Sequence, residues 1–339
     1  MLNWGEVNRL AEDGYISRQR HSEAPFTIYN YSAKAQYDWH WTPETMACRG
    51  LVVADDGEIV ARPFPKFFSI EQRGDEPLPV EPFKVYEKVD GSLGILYFIN
   101  GEPRIATRGS FVSDQAQWAT THLRTKYSGV KFNPDYTYLF EIIYPGNQIV
   151  VNYGDFADLV MLAVIRKSDG ADMPLEDLGF PMVKLYDGIV DFTELAQFEE
   201  PNKEGFVIRF ESGLRVKAKF AEYKRLHRLL TGLSARGIWE AMQTEEGLQP
   251  VLDRVPDEFY SWVKTTESDL WQSFLNIEHQ CKTDFKDLGD RKATALYFQT
   301  CQHPAILFKM LDHKEYAPLI WKAIYPPPSR PFKEDIEDV

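Results

Sequence analysis

The sequence predicts an α+β protein: an antiparallel, strand-rich body followed by a smaller all-helical domain, with the change near residue 231. Three observations predict it. Two pairs of short apolar runs are joined by Asp-Gly and Asn-Gly turns, the signal of antiparallel hairpins. Further strand-like runs recur as far as Phe220, with few helices between them. Beyond Leu233 the apolar residues take helical spacing, as in Phe259, Trp262, Val263, Leu270, Phe274, Ile277, Cys281 and Phe285.

Residues 1–30 mix a short helix with an aromatic segment and carry no motif. Residues 51–53 and 59–61 flank Asp56-Gly57, and residues 94–99 pass through Asn100-Gly101 into residues 104–107. Ser113 can cap a helix running to about Tyr127. Residues 138–143, 149–152 and 159–166 read as strands, and residues 206–209 and 214–220 form a further pair around Glu211-Ser212-Gly213. Helices are expected at residues 294–301, 305–311 and 316–324. The expected boundaries are 1–230 for the body, 231–325 for the helical domain and 326–339 for a Pro-rich, acidic tail opening with Pro326-Pro327-Pro328. No internal repeat is visible.

A chain of 339 residues is long enough for two domains, at about 150 residues each. Hydrophobic content of 44% and charged content of 26% describe an ordinary globular protein. No apolar run approaches the roughly 18 residues of a membrane span. The opening Met1-Leu2-Asn3-Trp4-Gly5-Glu6 lacks a basic-then-apolar leader, so a cytoplasmic location without a membrane partner is expected. Cys48, Cys281 and Cys301 cannot all pair with one another, and their spacing matches no zinc site. Cys48 is expected to be an inert packed thiol. The net charge of −13 argues against a protein that coats nucleic acid indiscriminately. A local basic surface remains available from Arg215, Lys217, Lys219, Lys224, Arg225, Arg228 and Arg236, although Lys224 and Arg228 equally fit a solvated helix face.

The most informative stretch is Lys88-Val89-Asp90-Gly91-Ser92-Leu93, a lysine two residues before an Asp-Gly turn. Alone it is a weak signal. It gains weight from Phe140-Glu141, from Glu204-Gly205-Phe206-Val207-Ile208-Arg209 and from Lys217-Ala218-Lys219 downstream. Lys217 and Lys219 stand two apart on an expected strand, so both point to one face while Val216, Ala218 and Phe220 point to the other. Two ammonium groups on one face repel unless an anion lies between them, and a phosphate is such an anion. Seen alone, the pair also fits a solvated edge strand with outward lysines. Glu141 and Glu204 lie on or beside apolar strands, where a carboxylate is costly unless it meets a cation, a metal or a sugar hydroxyl. The seven histidines form no metal-binding spacing, and there is no Gly-rich phosphate loop.

In this order and spacing the blocks resemble the covalent nucleotidyltransferases, the superfamily of ATP-dependent nucleic-acid ligases and mRNA capping enzymes. Upstream lie Ala47-Cys48-Arg49-Gly50-Leu51-Val52-Val53 and Ile59-Val60-Ala61-Arg62-Pro63-Phe64-Pro65-Lys66-Phe67-Phe68. With Gln148-Ile149-Val150-Val151-Asn152-Tyr153-Gly154 and Leu159-Val160-Met161-Leu162-Ala163, they narrow the resemblance to the phage T4-type RNA ligase 1 family, over roughly residues 31–228. The resemblance implies an ATP-grasp-like adenylylation domain. It implies that Lys88 attacks the α-phosphorus of ATP and carries AMP as a phosphoramidate, with cations and desolvation lowering its pKa. Lys217 and Lys219 would stabilise charge at the α-phosphoryl group, and Glu141 would contact the ribose. Glu204 would help hold Mg²⁺, or Mn²⁺ in its place. Arg49 and Lys66 would grip the β- and γ-phosphates, the first as a bidentate fork and the second as a point charge. Glu87, Arg108 and Tyr223 match further nucleotide-site positions, though Arg108 also reads as a surface arginine and Tyr223 as a tyrosine packed between domains. Gly91 would permit close approach or a positive φ, and Asp90 could hydrogen-bond its own loop. Ser69 stands where the family commonly has Asn, and Asn152 where it commonly has Asp.

The resemblance thus implies an RNA ligase (ATP) acting in three phosphoryl transfers. AMP passes from ATP to Lys88, then to the 5′-phosphate of an RNA end, and a 3′-hydroxyl displaces it to seal the strand. The implied partner is RNA with 5′-phosphate and 3′-hydroxyl ends, such as cleaved tRNA. The protein is expected to be a monomer working beside an end-healing kinase/phosphatase. One rival is the sealing component of a fungal-type tRNA ligase. Another is a catalytically idle RNA-binding protein on the same fold, weakened because Lys88, Glu141, Glu204, Lys217 and Lys219 occur together. A capping enzyme fits less well, since the Arg49 and Lys66 blocks do not belong to that group. The helical domain is expected to choose or position RNA, through side chains near Arg236 and Lys264, or else to brace the first domain.

Overall fold

Helix α1 (Trp4–Glu12) opens the fold, capped by the Asn3 side chain, which accepts from the Glu6 N–H, and it buries Val7 and Leu10. The structure is a computed structural model that describes residues 2–74, 76–189, 195, 198–221, 234–252, 255 and 259–326. The chain divides into two compact units, Met1–Leu230 and Thr231–Val339. No described helix is long and apolar enough to cross a membrane.

Among the described residues the first unit holds three sheets. Strands β1 (Ile16–Arg20), β2 (Phe26–Tyr31), β3 (Arg49–Ala54) and β4 (Ile59–Ala61) make an antiparallel sheet in chain order. The expected β3–β4 hairpin is present. Strands β1 and β2 were not expected: in Ile-Ser-Arg-Gln-Arg only Ile16 is buried, so β1 carries no apolar alternation. Two short helices, α2 (Ala33–Tyr37) and α3 (Pro43–Ala47), fill the crossover from β2 to β3.

The remaining strands of the first unit form two five-stranded sheets. In chain order they are β5 (Phe68–Ser69), β6 (Phe83–Glu87), β7 (Ser92–Ile99), β8 (Glu102–Ala106), β9 (Tyr136–Ile143), β10 (Asp158–Arg166), β11 (Asp172–Met173), β12 (Leu185–Tyr186), β13 (Gly205–Phe210) and β14 (Arg215–Lys219). The second sheet runs β11-β10-β9-β7-β8 and the third β12-β6-β13-β14-β5. In the β7–β8 hairpin Asn100 and Gly101 both take positive φ, +52° and +81°, as a two-residue turn between twisted strands requires. Helix α4 (Asp114–Lys126), capped by Ser113, forms as expected and packs Ala119 and Leu123 on the second sheet.

The second sheet is buried on both faces. Ile95, Tyr97, Leu139 and Ile165 pack with Ile28 and Val52 of the first sheet, while Leu96, Phe140, Ile142 and Leu159 pack with Leu123 of α4. The third sheet has its own core of Val85, Phe206, Ile208, Val216 and Phe220. One expected strand is absent. Residues 149–152 pair with no strand, because the N–H groups of Val150 and Val151 both donate to the Asp90 carboxylate instead of to a ladder.

The second unit contains α5 (Ala235–Ala241), α6 (Gln249–Leu252), α7 (Tyr260–Asp284), α8 (Arg291–Phe298), α9 (Pro304–Leu311) and α10 (Ala317–Ala323). Val263, Leu270, Phe274 and Cys281 lie buried along α7, with Phe298, Leu307 and Ile320 buried on the later helices. Proline opens α9 and α10, where its missing N–H costs nothing.

Candidate active site

Lys88 follows directly on β6, in the short passage that carries the chain from the third sheet to β7 of the second. Its N–H donates to the Gly205 carbonyl at 2.8 Å, which fixes the backbone against the start of β13. Gly205 is required there. Its φ is +142°, and a Cβ would lie 2.0 Å from the Ala218 carbonyl oxygen. Glu204, one residue earlier, is thereby held beside both lysines. Lys88 Nζ donates to Glu204 Oε2 at 2.7 Å, and Lys219 Nζ lies 3.1 Å from Oε1. The Glu204 side chain is 3% exposed, so a carboxylate there needs both cations. Burial alone would raise its pKa, but Lys88 and Lys219 outweigh burial and hold it below the ordinary value.

Lys217 lies two residues before Lys219 on β14, opposite Val207 of β13 and Ser69 of β5. Val216 and Phe220 enter the third-sheet core. The expected basic surface is corrected here: Lys217 is 8% exposed, and the side chains of Arg215 and Lys219 are 10% and 9% exposed. This strand turns its cations inward because anions meet them there, Glu204 at Lys219 and Asp172 at Arg215. Lys224, Arg225, Arg228 and the expected nucleotide residue Tyr223 lie outside the described residues.

Glu141 reaches the site from β9, opposite Leu93 on β7 and Val160 on β10. The Asp-Gly turn lies directly against it. A Cβ on Gly91 would meet the Ile142 carbonyl oxygen at 2.6 Å and Glu141 Cγ at 3.1 Å, so close approach and not a positive φ is the reason for glycine. Burial pushes the Glu141 carboxyl up to about 8; the Glu204 and Asp90 carboxylates add to this, while Lys88 and Arg49 oppose it. Asp90 reaches beyond its own loop. Its carboxylate accepts from Val150 and Val151 N–H at 2.9 and 2.8 Å, and its own N–H donates to the Tyr153 hydroxyl at 2.8 Å. Asn152, at a position where the family commonly has Asp, exchanges hydrogen bonds of 2.7 and 2.8 Å with Asn202 just upstream of Glu204.

A second group of cations stands on aromatic rings. Arg49, first residue of β3, lies 5.0 Å over Phe64 and 5.6 Å over Phe67. Lys66 is 5% exposed, with Nζ 5.2 Å from the Tyr31 and Trp41 ring centroids and 5.6 Å from that of Phe68, and it donates to Gln36 Oε1 at 3.3 Å. Arg108 donates to the Tyr31 hydroxyl at 2.7 Å and lies 4.9 Å over the same ring. Tyr31 therefore joins Lys66 to Arg108, and nothing in its sequence surroundings marks it. Asp172, which holds Arg215 and Arg209, is equally unmarked. Glu87 has its charge partner in Lys203, 3.9 Å away. Cys48 is fully buried, and burial pushes its thiol up to about 12, as an inert packed cysteine requires.

Among the described residues no three His, Cys, Asp or Glu side chains form a cluster that could hold a metal ion. Glu204, held ionised below its ordinary pKa, nonetheless supplies hard carboxylate oxygens beside Lys88. That donor set suits Mg²⁺ or Mn²⁺ when substrate phosphates complete the shell, the usual arrangement for a hard cation with one or two carboxylates.

The sequence model of the family described as RNA ligase matches residues 47–225. A provisionally named RNA ligase of Thermovibrio ammonificans is 28% identical over 225 residues, covering 60% of this chain and 58% of that protein. A provisionally named bifunctional polynucleotide kinase/RNA ligase of Autographa californica nuclear polyhedrosis virus is 25% identical over 259 residues, covering 67% of this chain and 37% of the viral one. The chain thus spans less than two thirds of either relative. An archaeal ATP-dependent RNA ligase of known structure aligns with a TM-score of 0.48 at 14% identity, over 93% of this chain and 97% of that one.

Proposed function

The chain belongs to the RNA ligase family matched over residues 47–225, and from that premise we propose that it joins 5′-phosphate and 3′-hydroxyl RNA ends at the expense of ATP, through a lysyl-AMP and an adenylylated RNA strand. The observation that carries this reading is the buried Lys88–Glu204–Lys219 cluster, with its 2.7 and 3.1 Å contacts. An RNA-binding protein without chemistry has no use for it, since buried ion pairs are seldom a gain over apolar packing.

Lys88 Nζ attacks the α-phosphorus, an N–P bond forms, and the bond to the β-phosphate oxygen breaks as pyrophosphate leaves. Lys88 must first lose its proton. Lys217 and Lys219 offer ammonium donors to the charge that develops on the α-phosphoryl oxygens. Arg49, Lys66 and Arg108 form the cationic side that suits the outgoing pyrophosphate, and Glu141, neutral up to about pH 8, can donate as well as accept at a ribose hydroxyl. A divalent cation, Mg²⁺ or Mn²⁺, would be held by Glu204 with the phosphates and would neutralise phosphate charge. The 5′-phosphate of an RNA end then displaces Lys88 from AMP, and the 3′-hydroxyl displaces AMP from the RNA.

We assign the natural role to RNA repair, with cleaved tRNA as the substrate class, to a monomer in the cytoplasm. The viral relative's name joins a polynucleotide kinase to an RNA ligase, which supports an end-healing activity in the same pathway. Residues 231–325 take the part of choosing or positioning RNA. The test is incubation with labelled ATP and Mg²⁺ or Mn²⁺, followed by sealing of 5′-phosphorylated single strands and of nicked duplexes. One acid-labile AMP per chain, absent from Lys88→Ala, is expected. Label retained by Lys88→Ala at the wild-type level sinks the assignment.

A further inference from the structure

The segment between α2 and α3 places Trp39, His40 and Trp41 beside Lys66. Helix α2 ends in a left-handed cap: the His40 N–H donates to the Ala35 carbonyl at 2.8 Å and the Trp39 N–H to that of Gln36 at 3.3 Å. The residue that turns the chain is Trp39, with φ +54°. Glycine is the usual occupant of such a position, because a Cβ is disfavoured there. Trp39 does not offset this by burial, since it is 52% exposed. Its indole leans on Phe68, 5.2 Å away at 42°, and on Trp41, 6.2 Å away at 87°. Those two rings are among the three that flank the Lys66 ammonium, at 5.6 and 5.2 Å. The buried Trp41 Nε1–H has no acceptor among the described residues. A positive φ that leaves a half-exposed indole against the rings around a buried lysine is the kind of backbone outlier that gathers at ligand sites.

We propose that Trp39 is a stacking site for a nucleobase of the RNA strand, placed beside the positive field of Lys66. Exposed aromatics beside cations are how single strands are held, because every base offers a π-face to the ring and every link a negative charge. The inference rests on the ligase reading above. In that reading Glu141 takes the ribose of ATP and Lys66 its outer phosphates, so the triphosphate separates Trp39 from the adenine, and the base on the indole belongs to RNA.

The test uses the full chain, a short single-stranded 5′-phosphorylated oligoribonucleotide, and the variants Trp39→Gly and Trp39→Phe. Trp39→Gly should bind the oligonucleotide on the order of tenfold more weakly, and its Tm should equal or exceed that of the wild type because glycine suits the cap. Trp39→Phe, which keeps a ring, should restore most of the affinity. Equal affinity of Trp39→Gly and wild type overturns the proposal, as does failure of Trp39→Phe to restore binding. A fall in Tm in Trp39→Gly makes the indole a packing residue and also overturns it. If the RNA affinity holds but the ATP concentration that half-labels Lys88 shifts, the indole serves ATP and the proposal is wrong. A wild-type chain that takes no AMP label sinks the ligase reading separately, and the RNA affinities still decide the stack.

Discussion

Glu204 spends each of its two oxygens on a different lysine, and this dictates what its loss should do. In Glu204→Gln two ammonium groups keep their positions without an anion, so AMP labelling should fall by more than tenfold and the unfolding free energy read from urea titration should drop by about 3 kcal/mol for a broken buried pair. The two glutamates then respond to pH with opposite sign. The Glu204 pKa lies below its ordinary 4.5, so its contribution is present above that pH and lost as pH falls through the lowered value. That of Glu141 is raised to about 8, so the folded form binds its proton more tightly than the unfolded chain does. Stability from this group is full below pH 4.5 and is lost as pH rises toward 8. The Tm of Glu141→Gln relative to wild type should therefore climb steadily between pH 5 and pH 8; a pH-independent difference contradicts the assignment. Arg49 and Lys66 make a third case. If they serve pyrophosphate departure, Arg49→Ala and Lys66→Ala should recover most of their sealing activity on RNA that is already adenylylated, while Glu204→Gln should stay poor. Equal defects on both substrates argue against that division of labour.

At the scale of elements, two glycines do different work. Gly205→Ala sets a Cβ 2.0 Å from the Ala218 carbonyl oxygen, so β13 and β14 must part. Destabilisation of about 1–3 kcal/mol is expected for an overpacked contact, together with loss of labelling as Glu204 shifts. Gly101→Ala, with φ +81° but open space around it, should cost about 1 kcal/mol and leave labelling intact. Calorimetry and labelling on the two variants compare them directly. Elements were legible where local pattern and local bonding agree. The Asn100-Gly101 hairpin, the Ser113 cap and the buried run of β10 are of this kind. They were illegible where the partner is remote. Ile149-Val150-Val151 has strand-like composition, yet its N–H groups answer to Asp90, some sixty residues away in sequence. Gly91 was marked as special by sequence, but only the approach of β9 shows why. Tyr31 and Asp172 acquire their importance from the cations the fold brings to them, so no window of sequence around them could reveal it.

At the scale of the whole molecule, the candidate site draws on all three sheets described in one unit: Arg49 and Tyr31 from the first, Glu141 from the second, Lys217 and Lys219 from the third. The order of these residues is written in the chain, whereas their convergence is a property of the fold. The second unit carries none of them, which sets a test by truncation. A chain ending near residue 232 should stay folded and form the Lys88 adenylate, while discriminating poorly among RNA ends in sealing assays. A folded truncation that cannot take AMP places part of the first active site beyond that boundary.

The passage that carries Lys88 is pinned on both sides, by its own N–H to Gly205 and by Asp90 to Val150 and Val151. In the proposed reaction this makes the activated nucleotide a passenger on a short leash, moored at the seam of two sheets and free to swing only as far as one lysine side chain allows. The adenylate cannot go looking for RNA. The 5′-phosphate end must come to the lysine to collect its AMP, and the 3′-hydroxyl end must then meet that activated end where it lies.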